Sequence, residues 1–230
     1  MSDDRVLWIT GASAGIGAAT ARLTAASGWR LVLAARSLDK LTALADELGG
    51  PERAIAVECD VTIWEDQQAA LTVALEHFGR LDAAWANAGF GATRSFVGDT
   101  PEHWREMVLT NVYGAALTIR AALPALKDSR GHLLLTGSVA GRRSIAGSLY
   151  SATKHAVHAM AESVRQELNG TGVRVTVVAP GITDTAFFTQ LPLEAPLEPE
   201  DVARAVLYAL EQPPHVNVNE ILVRPTAQEL

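Results

Sequence analysis

The chain has 230 residues, 48% of them hydrophobic and 20% charged, a balance that excludes a disordered protein. Its 26 acidic residues outnumber 19 Lys and Arg for a net charge of −7, which disfavours a nucleic-acid partner, and its single cysteine, Cys59, excludes an internal disulfide framework or a cysteine-cluster zinc site. No apolar run approaches the roughly 18 residues of a membrane helix, and the start Met1-Ser2-Asp3-Asp4 lacks the basic and apolar regions of a secretory signal. The expectation is one cytoplasmic domain over residues 1–230, with no membrane partner.

Strand-like and helix-like segments alternate along the chain. Residues 5–10 (RVLWIT) form a short apolar run ending in a glycine-rich turn, and residues 18–27 read as an Ala-rich helix. Residues 30–35 (RLVLAA) are strand-like, and 38–48 place Leu41, Leu44, Ala45 and Leu48 on one helical face before Gly49-Gly50-Pro51 stops it. A third strand is expected at 54–58, a helix at 64–78, a fourth strand at 81–86 and one long helix at 101–126. Then follow a strand at 132–136, a helix at 149–168, a strand at 173–179, a helix at 199–211 and a last strand at 220–223. The strands are near-continuous apolar runs, the pattern of strands buried on both faces. Repeated strand–helix alternation predicts an α/β fold, a Rossmann-type doubly wound parallel sheet with helices on both faces. The irregular stretch 183–198, with Pro192, Pro196 and two adjacent phenylalanines, is the candidate substrate flap.

The turn Thr10-Gly11-Ala12-Ser13-Ala14-Gly15-Ile16-Gly17 joins the first strand to the first helix. Glycines there permit close backbone approach to a ligand, and the helix N-terminus offers free N–H groups to a phosphate. A tight turn without a ligand explains the same glycines, but the turn lies where dinucleotides bind in such sheets. The second strand ends Ala34-Ala35-Arg36-Ser37 with no acid to take ribose hydroxyls. Arg36 is suited to a 2′-phosphate, with Ser13 and Ser37 as added hydroxyl donors, so NADP(H) is the expected cofactor.

Tyr150-Ser151-Ala152-Thr153-Lys154 places a tyrosine and a lysine on one helical face. A free tyrosine titrates at about 10, and a nearby ammonium lowers that value; a shift of about three units is about 4 kcal/mol. Tyr150 is thereby a candidate general acid/base for a carbonyl or alcohol oxygen. Ser138, just past the fifth strand, can hydrogen-bond the same oxygen, and Asn111, on a face with Trp104, Val108, Val112 and Ala115, needs a specific partner in backbone or water. Asn87-Ala88-Gly89 and Pro180-Gly181-Ile182-Thr183-Asp184-Thr185 close the fourth and sixth strands on the same sheet edge as the glycine turn.

Taken together and in order, TGASAGIG at 10–17, Asp60-Val61, Asn87-Ala88-Gly89, Asn111, Ser138, Tyr150-x3-Lys154 and Pro180-Gly181 resemble the short-chain dehydrogenase/reductase family over essentially the whole chain. The resemblance implies a sheet of seven parallel strands and a catalytic tetrad of Asn111, Ser138, Tyr150 and Lys154. In that scheme Tyr150 transfers the proton, Ser138 orients the substrate, Lys154 holds the nicotinamide ribose and lowers the tyrosine pKa, and Asn111 secures a relay water. It implies a cofactor shell of Gly11, Ser13, Ala14, Gly15, Ile16, Gly17, Arg36, Ser37, Asp60, Val61, Asn87, Ala88, Gly89, Tyr150, Lys154, Pro180, Gly181, Ile182, Thr183 and Thr185. Within it Asp60 contacts the adenine and Thr185 the carboxamide. The C-terminal pattern around residues 214–228 is similar to an NADP-dependent subgroup that oxidises serine and 3-hydroxy acids. A homodimer or homotetramer through the helices at 101–126 and 149–168 is implied as well.

Three departures from the family pattern stand out. Ala86 replaces the first Asn of Asn-Asn-Ala-Gly, Ala14 replaces a basic residue common before the second glycine, and the Ser138–Tyr150 interval of 12 positions is one shorter than usual. NADP preference therefore leans on Arg36. Phe90, Ile145, Phe187 and Phe188, with Ser138 and Tyr150, are the candidate substrate-contacting residues, and Arg94 or Arg142 is placed to meet an acidic group. A ketone, aldehyde or hydroxy acid is the expected substrate, in an open site of broad tolerance. The competing readings are an NADP(H) sensor without turnover, an NAD(H)-preferring dehydrogenase of the same fold, and an epimerase, for which the region after Pro180 leaves little room. No metal is expected: His155, His158 and Glu162 share a helix but read as ordinary helix residues, and Cys59 as a small buried one.

Overall fold

The computed structural model describes residues 5–187 and 193–228. Seven strands form one parallel sheet in the order β3-β2-β1-β4-β5-β6-β7. They are β1 (Val6–Thr10), β2 (Arg30–Ala35), β3 (Ala54–Glu58), β4 (Ala83–Ala86), β5 (His132–Thr136), β6 (Arg174–Pro180) and β7 (Glu220–Val223). Helices α1 (Gly15–Ala26), α2 (Leu38–Glu47), α3 (Trp64–Phe78), α4 (Pro101–Val108), α5 (Ala115–Ser129), α6 (Leu149–Glu167) and α7 (Pro199–Leu210) connect them. Strand order reverses between β1 and β4, and the crevice beyond their carboxyl ends is the ligand position of a doubly wound sheet.

Alternation along each strand divides the core in two. Val6 and Trp8 of β1 join Val32, Leu133, Leu135 and Val177 beneath α3, α5 and α6. Leu7 and Ile9 join Leu31, Leu33, Trp85 and Leu134 beneath α1, α2 and α7. Continuous burial holds for the central strands, whereas edge strands β3 and β7 are only partly covered, as their single neighbours dictate.

The long helix expected at 101–126 is interrupted. A π-helical turn, Leu109–Gly114, separates α4 from α5 and carries Asn111. Such a turn inserts an extra residue without ending the helix, so the apolar spacing on either side does not reveal it. The face assigned to Asn111 changes accordingly: Val108 is 39% exposed, while Asn111 is 2% exposed. Gly114 fits because a Cβ there would stand 2.7 Å from the Val61 side chain. Helix α1 starts three residues earlier than its alanine pattern indicates, directly at Gly15, which places the glycine turn against its N-terminus.

Candidate active site

The carboxyl edge of the sheet is tied together before any ligand is considered. Thr10 Oγ1 donates to the Trp85 carbonyl at 3.1 Å and accepts from the Asn87 and Ala88 amides at 3.0 and 3.3 Å. Asn87 Nδ2 donates to the Thr10 and Gly11 carbonyls, and its Oδ1 accepts from Thr136 Oγ1 at 3.0 Å. The Asn87 side chain, expected in the cofactor shell, is therefore spent on joining β1, β4 and β5. Gly11 adopts φ +67°, and a Cβ on it would meet Ala88 Cα at 2.9 Å. A Cβ on Gly17 would lie 2.3 Å from the Gly11 carbonyl. These glycines let the turn close on itself.

Helix α1 has Ala14 at its N-cap, no side-chain cap and no acid in its first turn. Its first N–H groups and dipole end thus remain available to an anion. Ser13 is half-buried and Ala14 exposed beside them, with Ile16 half-buried behind. Arg36 is exposed at the end of β2 with no hydrogen-bond partner among the described residues, and Ser37 follows as an α2 N-cap whose hydroxyl caps nothing. Asp60 Oδ1 accepts from the Thr62 amide and hydroxyl at 2.9 and 2.7 Å, and Val61 is buried against Gly114. An uncapped helix start, an exposed arginine and a turn that only glycine permits fit a phosphorylated dinucleotide.

Asn111 clamps the irregular segment after β4. Its Nδ2 donates to the Phe90 carbonyl at 2.9 Å and to Thr153 Oγ1 at 3.2 Å, while Oδ1 accepts from the Phe90 amide at 3.0 Å. Gly89 makes room for this: a Cβ there would be 3.0 Å from Asn111 Oδ1 and 3.7 Å from Lys154 Nζ. Helix α6 is capped by Ser148, whose side chain accepts from the Ser151 amide, and it presents Tyr150 and Lys154 on one face. Lys154 is 4% exposed and its Nζ donates to the Thr136 carbonyl at 2.7 Å, leaving two of its three protons uncommitted. Ser138 Oγ accepts from the Ala140 amide at 3.1 Å and donates to the Pro180 carbonyl at 3.5 Å. The Ser138 amide donates to His158 Nε2 at 3.5 Å, and that ring fills the space that a Cβ on Gly137 or Gly141 would need.

The electrostatics correct one expectation. Lys154 does not hold the Tyr150 pKa down here; burial pushes it up to about 12, opposed by the hydrogen bond with Ser138. The ammonium lies 5.7 Å from the tyrosine ring centroid and is engaged by the Thr136 carbonyl. Burial lowers the Lys154 pKa to about 8. The pair is therefore a neutral phenol beside a cation at neutral pH.

Beyond β6 the Gly181 amide donates to the Val223 carbonyl at 2.7 Å and the Ile182 amide to Gln228 Oε1 at 2.8 Å. Thr183 and Leu197 form a bridge that pins both ends of the 183–198 stretch. Thr185 reaches the glycine turn, since a Cβ on Gly15 would lie 3.1 Å from its methyl group. Phe187 packs edge-on to Tyr150 with centroids 5.3 Å apart. The Phe90 ring, expected in the substrate wall, stacks on His103. Ile145 is half-buried, its amide donating to Ser151 Oγ at 3.2 Å. Phe188 lies outside the described residues.

From the sequence, Thr10, Thr136, Thr153 and Gln228 carried no assigned role, and His158 read as an ordinary helix residue. A threonine ending an otherwise apolar strand was the available signal for Thr10 and Thr136; Gln228 stood out only as part of the C-terminal pattern at 214–228. Among the described residues no cluster of His, Cys, Asp and Glu could hold a metal. His155 Nδ1 bonds the Ser151 carbonyl, and His158 faces Ser138. Cys59 is buried, which pushes its thiol up to about 12. No helix among the described residues is long and apolar enough to cross a membrane.

A parallel sheet with this strand order and this edge defines a nicotinamide-dinucleotide fold, and the chain belongs to the short-chain dehydrogenase family, whose model matches residues 5–195. It is an oxidoreductase of that family. An uncharacterized oxidoreductase of Staphylococcus aureus is 42% identical over 226 residues, covering 96% of this chain and 97% of that one. An alcohol dehydrogenase of Thermococcus sibiricus, solved with 5-hydroxy-NADP, is 34% identical with TM-score 0.91 and 98% of each chain covered. The serine dehydrogenase of Escherichia coli is 30% identical with TM-score 0.89, covering 98% of this chain and 100% of that one.

Proposed function

We propose that the protein is an NADP(H)-dependent reductase of a small to medium ketone, aldehyde or oxo acid, with Tyr150 as the proton donor and the corresponding alcohol oxidised in reverse. The observation that carries this reading is a half-buried tyrosine on one helical face with a buried lysine, with Ser138 near enough to oppose the rise of the tyrosine pKa. When bound, the nicotinamide supplies the hydride to the carbonyl carbon. Ser138 and Tyr150 hold the carbonyl oxygen, and the Tyr150 hydroxyl gives up its proton as negative charge develops there. The uncommitted protons of the Lys154 ammonium are available to ribose hydroxyls, so its charge holds the cofactor next to the tyrosine. Asn111 acts as a positioning residue, fixing Phe90 and, through Thr153, the start of α6.

The free N–H groups of α1 hold the pyrophosphate and Arg36 the 2′-phosphate, with Ser13 and Ser37 as hydroxyl donors. Asp60 is placed for the adenine and Thr185 for the carboxamide. The NADP complex of the alcohol dehydrogenase relative supports the cofactor choice. A groove between α5 and α6, lined by Ala116, Ile119, Leu123, Pro124 and Val164 with Arg120, Lys127 and Glu167 at its charged positions, is a surface on which a homo-oligomer is proposed. The deciding experiment is Tyr150→Phe assayed by NADPH consumption against a carbonyl panel. Turnover should fall about 1,000-fold while NADPH still binds; retained activity refutes the assignment.

A further inference from the structure

We infer that the substrate carries an anionic group, a carboxylate or phosphate set apart from its carbonyl by a short apolar stretch, and that Arg94 and Arg143 bind that group. The inference deepens the carbonyl-reductase reading and rests on it.

A cleft of about 510 Å³ lies among the loops after β4, β5 and β6. Its lining is tied to the site through neighbouring residues: Val139 directly follows Ser138, and Ile145 is hydrogen-bonded to Ser151, the neighbour of Tyr150. Ile182 follows the Pro180-Gly181 turn, whose Pro180 carbonyl receives the Ser138 hydroxyl. Val139, Ile145, Ile182 and Leu193 give the cleft an apolar middle, and Arg94 and Arg143 supply its charge. Among the described residues no acidic one lines it, in a chain whose net charge is −7. A local cationic cleft on an acidic protein concentrates anions.

The three arginines near this cleft are not equivalent. Arg142 is ion-paired to Glu220, with Nε 2.8 Å from Oε1, so its charge is answered within the protein. The guanidinium groups of Arg94 and Arg143 have no hydrogen-bond or acidic partner among the described residues. The Arg94 backbone packs against Gly147, where a Cβ would stand 3.3 Å from the Arg94 carbonyl carbon, so its origin is fixed beside the loop that leads into Tyr150. Two planar guanidinium forks lining one apolar cleft suit a carboxylate or phosphate. They have no comparable use for a neutral ketone.

The test uses the full chain in the presence of NADP+ and three probes of one length, hexanoate, hexyl phosphate and hexanamide, with binding read by calorimetry. At least one anion should bind ten or more times tighter than the amide, and which one does so tells carboxylate from phosphate. Arg94→Gln and Arg143→Gln should each weaken that anion about tenfold, at least fivefold more than they weaken hexanamide, while Arg142→Gln has the smaller effect. Equal affinity for the three probes, or equal losses in all variants, overturns the inference. Parallel NADPH consumption with a 5-oxo acid and its amide separates the two claims. Anion binding without turnover of any carbonyl refutes the reductase reading and leaves the anion site standing; equal turnover of acid and amide refutes the anion site alone.

Discussion

On its glycine-turn side the active-site edge is closed by backbone. Added Cβ atoms at Gly11 and Gly17 would meet main-chain atoms at 2.9 and 2.3 Å, and Thr10, Asn87 and Thr136 link three strands through side-chain hydrogen bonds. On the opposite side, Phe187 is 42% exposed and Arg94, Arg142 and Arg143 are surface groups. There the loops after β4, β5 and β6 carry side-chain contacts such as Phe187 on Tyr150 and the Ser138 hydroxyl on the Pro180 carbonyl. The difference is one of tolerance. Sterics fixed by the sheet have nowhere to relax, so changes on the first side disturb both fold and ligand; loops packed through side chains absorb changes and alter preference instead.

Four measurements sharpen or break that contrast, beginning with the largest effect. Gly17→Ala forces a methyl group onto a carbonyl, which should cost about 1–3 kcal/mol of stability and weaken NADPH binding more than tenfold; unchanged denaturation midpoint and affinity would remove the rigid-edge argument. Arg36→Ala should raise KM for NADPH about tenfold or more with little change for NADH, and equal effects on both would refute the 2′-phosphate role. The pH profile of the reduction tests the Tyr150–Lys154 pair. Tyr150, pushed up to about 12, stays protonated, whereas Lys154, lowered to about 8, loses its charge as pH rises through that value. The rate should hold from pH 6 to 7.5 and fall toward tenfold per unit above about 8; a flat profile to pH 9.5 would break the assignment. Phe187→Ala, on the tolerant side, should change KM less than about fivefold and leave stability within about 0.5 kcal/mol. A large loss of stability there would erase the distinction between the sides.

Much of this architecture is legible in one dimension because its causes are local. Apolar runs of four to seven residues ending at Thr10, Ala86, Thr136 and Pro180 mark strands, and the residues just beyond them mark the edge where ligands bind. Tyr150 and Lys154 are visible as a pair because helical spacing is a local rule. Asn111 was visible as a polar residue needing a partner, but not its partner: the π turn re-aims it, and Phe90 meets it across 21 positions of chain. Gln228 lies 46 positions from the Ile182 amide it receives, and His158 reaches Ser138 across 20.

The tyrosine's charge state follows the same division. Sequence supplied the two groups and their spacing, from which a lowered pKa was the natural expectation. Burial depends on everything packed around the phenol, and it reverses the direction. The sequence by itself thus determined the alternating α/β order, the glycine turn and the spacing of the candidate reacting side chains, since these follow from periodicity and backbone freedom over a few residues. Only the tertiary structure decided which hydrogen bonds those side chains make, that Arg142 is neutralised while Arg94 and Arg143 are not, and how burial divides protons between Tyr150 and Lys154. Desolvation and pairing are sums over neighbours that the chain brings together only when it folds.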